Sequence, residues 1–396
     1  MEEKGWRSIL LGEFVTLQRG FDITKKEQEV GPYKVYSSSG PNSTHSKYQV
    51  KGPGVIIGRK GTLGTAFYSD EDFWPHDTTL WVKDFHGNDP KFAYHFLKSM
   101  RLEQYDCGAS NPTLNRNHIH LIPVSVPLVP IQQKIAVMLS AYDDLIENNL
   151  RRIKILEEMA RSLYREWFVK FRFPGHQKVK MVNSPLGKIP EGWKVSTLGN
   201  ESKNFDRMRK PLSKMEREKR PGPYPYYGAA KVFDHIDDFI FNGIYLLIAE
   251  DGSVVTPDRK PVLQYVNGKF WANNHTHVLQ GKEPIPTEFL HLVLSQLDIS
   301  GYITGAAQPK ITQENLNRIP VLVPSSDLLT NFNEIVELIY RSIVLTEEKN
   351  KVLRQTRDLL LPKLISGELD VSELDIKTGR NDPSPLAGEG WDGGNG

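Results

Sequence analysis

Apolar residues along Ile131–Phe173 recur with one strict rhythm. Ile135, Leu139, Tyr142, Ile146, Asn149, Ile153, Leu156, Ala160, Leu163 and Trp167 follow each other at alternating steps of four and three. Positions that repeat every 3.5 residues keep facing a single partner helix, which is the seam of a coiled coil. No proline or glycine interrupts the run, so it predicts one helix of about 39 residues and about 58 Å. A helix of that length cannot be buried alone. The stretch Asp327–Leu361 supplies a partner with the same rhythm: Phe332, Val336, Ile339, Ile343, Thr346, Asn350, Leu353, Arg357 and Leu360.

Before each long helix the pattern is shorter and mixed. Strand-like runs occur at Gly54–Ile57, Leu80–Lys83, Ile244–Ile248 and Val262–Val266, separated by Gly, Pro and Asn turns. Helical runs occur at Asp89–Met100 and Thr287–Leu297. The segments LIPVSVPLVP and RIPVLVP place prolines at intervals suited to an edge strand.

These elements form two copies of one unit. WRSILLGE at Trp6 returns as WKVSTLGNE at Trp193, and HDTTL at His76 as NHTHV at Asn274. FAYHFL at Phe92 returns as FLHLVL at Phe289, GASN at Gly108 as GAAQ at Gly305, and IPVSVP as IPVLVP, all at an offset of 197. The helix seams keep that offset. An internal duplication follows. The fold class is mixed α/β (α+β): two domains of similar fold at 1–130 and 191–324, and two long helices at 131–173 and 325–361. The remainder is a linker at 174–190, a terminal hook at 362–377 begun where Pro362 stops the second helix, and a Gly/Pro-rich disordered tail at 378–396.

Composition changes the picture little. Charged content of 25% and mean hydropathy of −0.44 describe a soluble chain, and no apolar run reaches the roughly 18 residues of a membrane span. The start lacks a signal-peptide core, and the single Cys107 excludes an internal disulfide framework. A cytoplasmic location is expected, with Cys107 as a small, partly buried side chain. The net charge of +2 hides one local excess: Lys203–Arg220 holds eight basic and three acidic residues. That run reads equally well as a solvated face or a phosphate-facing surface.

Catalytic signatures are missing. GRKGTLG at Gly58 lacks phosphate-loop spacing, and no glycine-rich strand-to-helix turn suits a dinucleotide or methyl-donor cofactor. Asn111-Pro112-Thr113 lacks the second proline and aromatic ring of amino-methyltransferase loops and reads as a turn. Pro257-Asp258 reads as a turn before a strand. His118/His120 and His275/His277 are two apart but lack a cysteine cluster beside them. Neither a metal site nor a cofactor site is assigned to this chain.

What remains is polar loop chemistry in both copies. The first offers Ser38, Ser39, Asn42, Arg59, Lys60, Thr62, Asn111, Asn115, Arg116 and Asn117. The second offers Arg207, Arg209, Lys210, Tyr227, Lys231, Gln308, Lys310, Gln313 and Asn315. Arginine to guanine, amide to adenine, and hydroxyl or lysine to phosphate are standard pairings in duplex readout.

Two variable domains, each closed by an IPVxVP segment and a long helix, resemble the specificity subunit of type I restriction-modification systems. The carrying residues are WRSILLGE and WKVSTLGN, GASNPTLN with LIPVSVPLVPIQQKIAVMLSAYDDLIENN, GAAQPKIT with RIPVLVP, and LLLPKLISGELDV. The resemblance covers roughly 1–375. It implies two target-recognition domains, each reading half of a split sequence in double-stranded DNA, and two helices packed antiparallel as a spacer. It also implies two modification (methyltransferase) subunits that bring S-adenosylmethionine, and two restriction (helicase-nuclease) subunits that use ATP and Mg. On that reading the chain itself is no enzyme. GRKG in the first domain is replaced by AEDG in the second, so the half-sites differ, and Asn111 and Gln308 become corresponding DNA-facing amides. A stand-alone DNA methyltransferase and a coiled-coil adaptor without DNA recognition are the competing classes.

In the seams, Leu139, Tyr142, Ile146, Ile153, Leu156 and Leu163 face the set Val336, Ile339, Ile343, Leu353 and Leu360, with polar breaks at Asn149, Thr346 and Asn350. A polar seam residue lowers stability but fixes register. Asn149→Leu is therefore expected to raise the thermal midpoint while relaxing the preferred half-site separation. Unchanged values of both would refute a register role.

Overall fold

The computed structural model describes residues 5–108, 112–305 and 308–378. Each repeat begins by pairing its first strand with its own last one. Trp6–Leu10 runs antiparallel to Pro123–Pro127, and Lys194–Thr197 to Pro320–Val323. Both ribbons are two-stranded, which leaves an outer side for prolines that cannot donate a ladder hydrogen bond.

The described residues divide into two compact units that cut across the long helices, one drawn from 1–148 with 350–396 and the other from 149–349. Each unit thus takes one half of each helix. In the first, a four-stranded antiparallel sheet has the order Thr16–Arg19, Thr79–Asp84, Gly54–Gly58, Ala66–Ser69. Gly54–Gly58 is buried along its whole length. Strand alternation sends Val55 and Ile57 into the main core and Ile56 into a smaller one with Tyr36 and Phe73. Helix Pro90–Ser99 starts with Pro90 in its first turn, and the Asp89 carboxylate accepts from the Phe92 N–H at 2.9 Å. Its Phe92, Phe96 and Leu97 join Ile135 and Leu139 of the first long helix and Leu361, Leu364 and Ile365 of the second. Arg357 also bonds Asp143. Early positions of one helix meet late positions of the other, so the halves are antiparallel here.

The second unit carries a six-stranded sheet in the order Ser202–Asn204, Thr276–Gly281, Phe241–Ala249, Leu263–Ala272, Pro221–Tyr227, Val232–Ile236. Helix Thr287–Gln296 packs its Phe289, Leu292 and Val293 into a core with Tyr164, Trp167 and Phe168 from the end of the first long helix. Phe332, Val336, Ile339 and Ile343 from the start of the second complete it. The Phe332 ring lies 4.6 Å from Phe168 and 5.6 Å from Trp167.

The long helices span Val129–Tyr164 and Ser326–Ser366. Seam residues Leu139, Ile146, Val336, Ile339, Ile343, Thr346 and Asn350 are buried; Tyr142, Asn149, Ile153, Leu156, Leu163, Leu353 and Leu360 are half-buried. Thr346 gives its hydroxyl proton to the Ser342 carbonyl of its own helix at 2.6 Å.

Several boundaries differ from the sequence reading. Pro362 lies inside the second helix; burial of Leu361, Leu364 and Ile365 holds the turn across the missing N–H. The helix ends at Gly367, whose φ of +79° suits glycine. The first helix widens to a π turn at Arg165–Val169, short of Phe173, which lets Trp167 and Phe168 both enter the core. The linker holds a hairpin, Met181–Ser184 with Gly187–Pro190. Cys107 is exposed because its loop lies at the surface. In the terminal hook Val371 is buried, and Lys134 Nζ donates to the Ser372 carbonyl at 2.6 Å. Of the tail, residues 379–396 lie outside the described residues.

Phe332→Ala is expected to destabilise the chain by about 3–5 kcal/mol through an aromatic cavity. Leu359→Ala, at a 69% exposed site, should stay within about 0.5 kcal/mol. Urea unfolding of the two variants checks the contrast.

Candidate nucleic-acid interface

Both units build a similar loop cluster that shares several corresponding backbone bonds. In the first, the chain leaves Gly54–Gly58 and donates from Arg59 and Lys60 N–H to the Thr78 carbonyl at 2.9 and 3.1 Å. The Arg59 carbonyl accepts from Leu114 N–H at 3.0 Å, and Lys60 bridges Thr113. In the second, Glu250 N–H donates to the His275 carbonyl and the Glu250 carbonyl accepts from Ile311 N–H, each at 2.9 Å. Asp251 bridges Lys310. Three loops far apart in sequence are thus pinned to one another in each unit. Gly58 is required by close approach: a Cβ there would lie 2.0 Å from the Thr62 carbonyl oxygen.

The side chains on this shared frame differ. In the first unit Lys60, Thr62, Ser39 and Asn42 are exposed, and Ser38 and Arg59 half-buried. Arg59 Nη1 donates to the Asp77 carbonyl at 3.2 Å, while the Asp77 carboxylate pairs with Arg19 at 2.8 Å. Burial, with Arg19 nearby, lowers the Arg59 pKa from its usual value. Asp106 accepts from the N–H groups of Gly108 and Thr113 at 2.8 Å, and these bonds hold its carboxyl below the usual range. Arg116 and Asn117 are exposed, whereas Asn115 caps the short helix that carries them, its side chain accepting from Asn117 N–H at 3.0 Å. Asn111 lies outside the described residues.

In the second unit an ionic network lies behind the loops. Arg209 Nη1 donates to Glu250 at 2.6 Å and to the Thr276 carbonyl at 2.7 Å. His277 Nδ1 lies 2.6 Å from Asp206, its Nε2 2.9 Å from the Ile311 carbonyl, and Lys310 Nζ 3.1 Å from Glu250. Burial opposes ionisation of Asp206, but bonds from His277 and the Val278 N–H outweigh it, and its pKa falls below the usual value. Asp206, Glu250 and His277 have the donor types of a metal site within 4.8 Å of one another. Arg209 already engages both carboxylates, so a guanidinium takes the place of a cation. His275 turns away to Asp251 at 2.8 Å, and the two histidines do not converge. Asp22, His76 and Asp77 form a more exposed group, of which Asp77 is held by Arg19.

The remaining sequence candidates divide in the same way. Arg207, Lys210, Lys231, Gln308, Lys310 and Gln313 are exposed. Asn315 Nδ2 donates to the Tyr302 carbonyl at 3.1 Å, and Tyr227 packs edge-on to Phe270 at 5.6 Å. The basic stretch is partly neutralised by partners that spacing could not reveal. The strand Val232–Ile236 and the turn after it bring Asp234 to Arg217 and Asp237 to Arg220, and the two guanidinium groups lie over Tyr226 and Trp271.

The two units and their loop clusters belong to a known class. The family described as type I restriction modification DNA specificity domain matches twice, over residues 3–158 and 190–355. The chain belongs to that family. A type I restriction enzyme specificity subunit of Methanocaldococcus jannaschii is 27% identical over 306 residues, 72% of this chain and 70% of the relative. A putative specificity subunit of Haemophilus influenzae is 34% identical over 165 residues, 41% of each chain. In fold, the crystal structure of a type I restriction-modification S subunit from M. genitalium is similar, with a TM-score of 0.60 at 18% identity, covering 92% of this chain and 97% of that one. Among the described residues no helix is long and apolar enough to cross a membrane.

Asp206 sets an acid limit for the second unit. Its folded pKa lies below the unfolded value of about 3.9, so its contribution is full above that pH and lost as pH falls through the folded pKa. Asp206→Asn is expected to flatten the pH dependence of unfolding below about pH 4 and to cost roughly 3 kcal/mol at neutral pH, where His277 and Arg209 lose a buried partner. Denaturant unfolding at several pH values reads both effects.

Proposed function

We propose that the chain is the DNA-recognition subunit of a type I restriction-modification complex. Each unit presents one loop cluster to half of a bipartite duplex target, and the antiparallel helix halves set the half-site separation and dock the modification subunits. The observation that carries this is the repeated loop frame, held by corresponding backbone bonds and different in its side chains, within a chain of the specificity family. Exposed cations and amides on a fixed frame suit phosphate anchoring and base-edge contact. The side chains proposed for DNA are Ser39, Asn42, Lys60, Thr62, Arg116 and Asn117 in one unit, and Arg207, Lys210, Lys231, Gln308, Lys310 and Gln313 in the other. Methyl transfer with S-adenosylmethionine and ATP- and Mg-dependent cleavage are assigned to two modification and two restriction subunits in a cytoplasmic complex.

The near-neutral charge of +2 favours weak binding by the isolated chain, because non-specific affinity comes from neutralised phosphates. Strong, salt-sensitive binding is expected once modification subunits are added; nanomolar affinity of the single chain for one sequence would contradict this. Lys60→Ala should weaken the complex on all sequences alike and lower the salt slope by about 1. Replacing residues 1–125 by the corresponding domain of another family member should change one half of the methylated motif. A motif that does not change would favour an adaptor role.

A further inference from the structure

The loop frame of the second unit displays a side chain that a phosphate backbone cannot use. Lys60 and Asp251 occupy the same bridged place, opposite Thr113 in the first unit and Lys310 in the second. An ammonium there can anchor a phosphate. A carboxylate offers only acceptors, and a phosphate repels it.

The acids around Asp251 are differently placed. Arg209 pairs with Glu250 at 2.6 Å and with Asp206 at 3.6 Å. Lys310 Nζ lies 3.1 Å from Glu250, and His277 Nδ1 2.6 Å from Asp206. Both permanent cations are thus engaged by Glu250 and Asp206. Among the described residues Asp251 pairs with His275 alone, whose Nδ1 lies 2.8 and 2.9 Å from its two oxygens. A carboxylate has about four acceptor sites, so one imidazole N–H leaves most of them open. The Asp251 side chain is 22% exposed, enough to reach a partner outside the protein.

The pair is also held in place. Glu250 N–H donates to the His275 carbonyl at 2.9 Å and Gly252 N–H to the Pro309 carbonyl at 3.2 Å, which ties the backbone on both sides of Asp251. His275 N–H donates to the side chain of buried Asn273 at 2.9 Å. In the matched HDTTL and NHTHV segments His275 stands where the first unit has Asp77, and Asp77 pairs with Arg19 at 2.8 Å. In both units this turn supplies the partner that orients one charged side chain of the cluster.

Given the DNA-recognition role proposed for the chain, on which this reading rests, we infer that Asp251 is a specificity-determining residue of the second unit. Oriented by His275, it accepts a hydrogen bond from the exocyclic amine of a base in the major groove. The amines presented there are cytosine N4 and adenine N6. The carboxylate weakens general attraction to DNA, and its gain is discrimination. A base that presents N7, O6 or O4 in that place sets acceptor against acceptor.

The test uses the full chain assembled with modification subunits, its methylated motif read by sequencing of modified DNA. The half of the motif that survives exchange of residues 1–125 belongs to the second unit. Asp251→Ala should relax one base pair in that half, with the preference there falling about tenfold or more and every other position retained. His275→Ala, a loss of positioning, should relax the same pair less; no change at that pair would remove His275 from the role. Asp251→Lys puts the residue of the first unit in the corresponding place and should turn the preference toward guanine, whose edge carries acceptors. If Asp251→Ala does not assemble, Asp251→Lys decides. Duplexes lacking the amine, with 2-pyrimidinone for cytosine or purine for adenine, identify which base is read. The one that matters should bind the wild-type complex about tenfold weaker than the normal duplex, and the Asp251→Ala complex no differently. A bipartite motif left unchanged by Asp251→Ala or Asp251→Lys, or relaxed in the half of the first unit, would overturn the inference and leave the proposed function standing. A wild-type complex without a bipartite motif would remove both.

Discussion

Neither recognition domain can close its core without both long helices. Leu364 of the second helix and Leu139 of the first are fully buried beside Phe92 and Leu97, and Phe332 is fully buried beside Phe289. Burying a large apolar side chain contributes about 1.5–3 kcal/mol, so each domain would expose several such groups if the helices were withdrawn. The helices depend on the domains in turn. A seam with Asn149, Thr346, Asn350 and Arg357 in it is a weak coiled coil by composition. Domain and helix therefore fold as one unit, and the units cut across the helices and not between helix and domain.

That mutual dependence frees the loops. The sheets and helices carry the stability, while the loop cluster is held by backbone bonds that any side chain can make: Arg59 or Glu250 donates to the turn and accepts from Leu114 or Ile311. A frame built from main-chain groups tolerates exchange of the groups it displays. Lys60 in one unit and Asp251 in the other occupy the same bridged position with opposite charge. The second unit offsets its acidic loop with Arg209 and Lys310, which explains why its basic surplus in sequence yields less free positive surface.

The sequence revealed what depends on periodicity and missed what depends on long-range pairing. The seam, the duplication, the central strands and the domain helices were legible because each leaves a local rhythm or an internal match. The Trp6 and Lys194 strands were not, since their partners lie more than a hundred residues away and alternate weakly. Arg209, Arg217 and Arg220 were readable as a charge excess but not as partners of Glu250, Asp234 and Asp237, because only the folded sheet brings those carboxylates up. Asn115 and Asn315 read as amides for DNA, and each also makes a hydrogen bond within its own domain, a use of amides that spacing does not distinguish. Pro362 misled because helix-breaking propensity is a local rule, and the burial of Leu361, Leu364 and Ile365 overrides it.

A duplicated architecture also has to control its own symmetry. Two copies of one unit bury their seams with interchangeable aliphatic side chains, and interchangeable contacts stabilise wrong pairings as well as right ones. Drift of the apolar positions cannot remove that ambiguity, because Leu, Ile and Val substitute for one another at small cost. Polar positions can, because a misplaced charge loses its partner and its hydration together. The places where the copies differ most sharply in chemistry while keeping the same backbone are Lys91 against Glu288 and Asp143 against Tyr340 at the helices, and Lys60 against Asp251 at the loops. The first pair of differences lies where domain meets helix, and the second lies on the loop frame. Both copies thus keep an apolar frame of the same kind, while the charges placed on it differ.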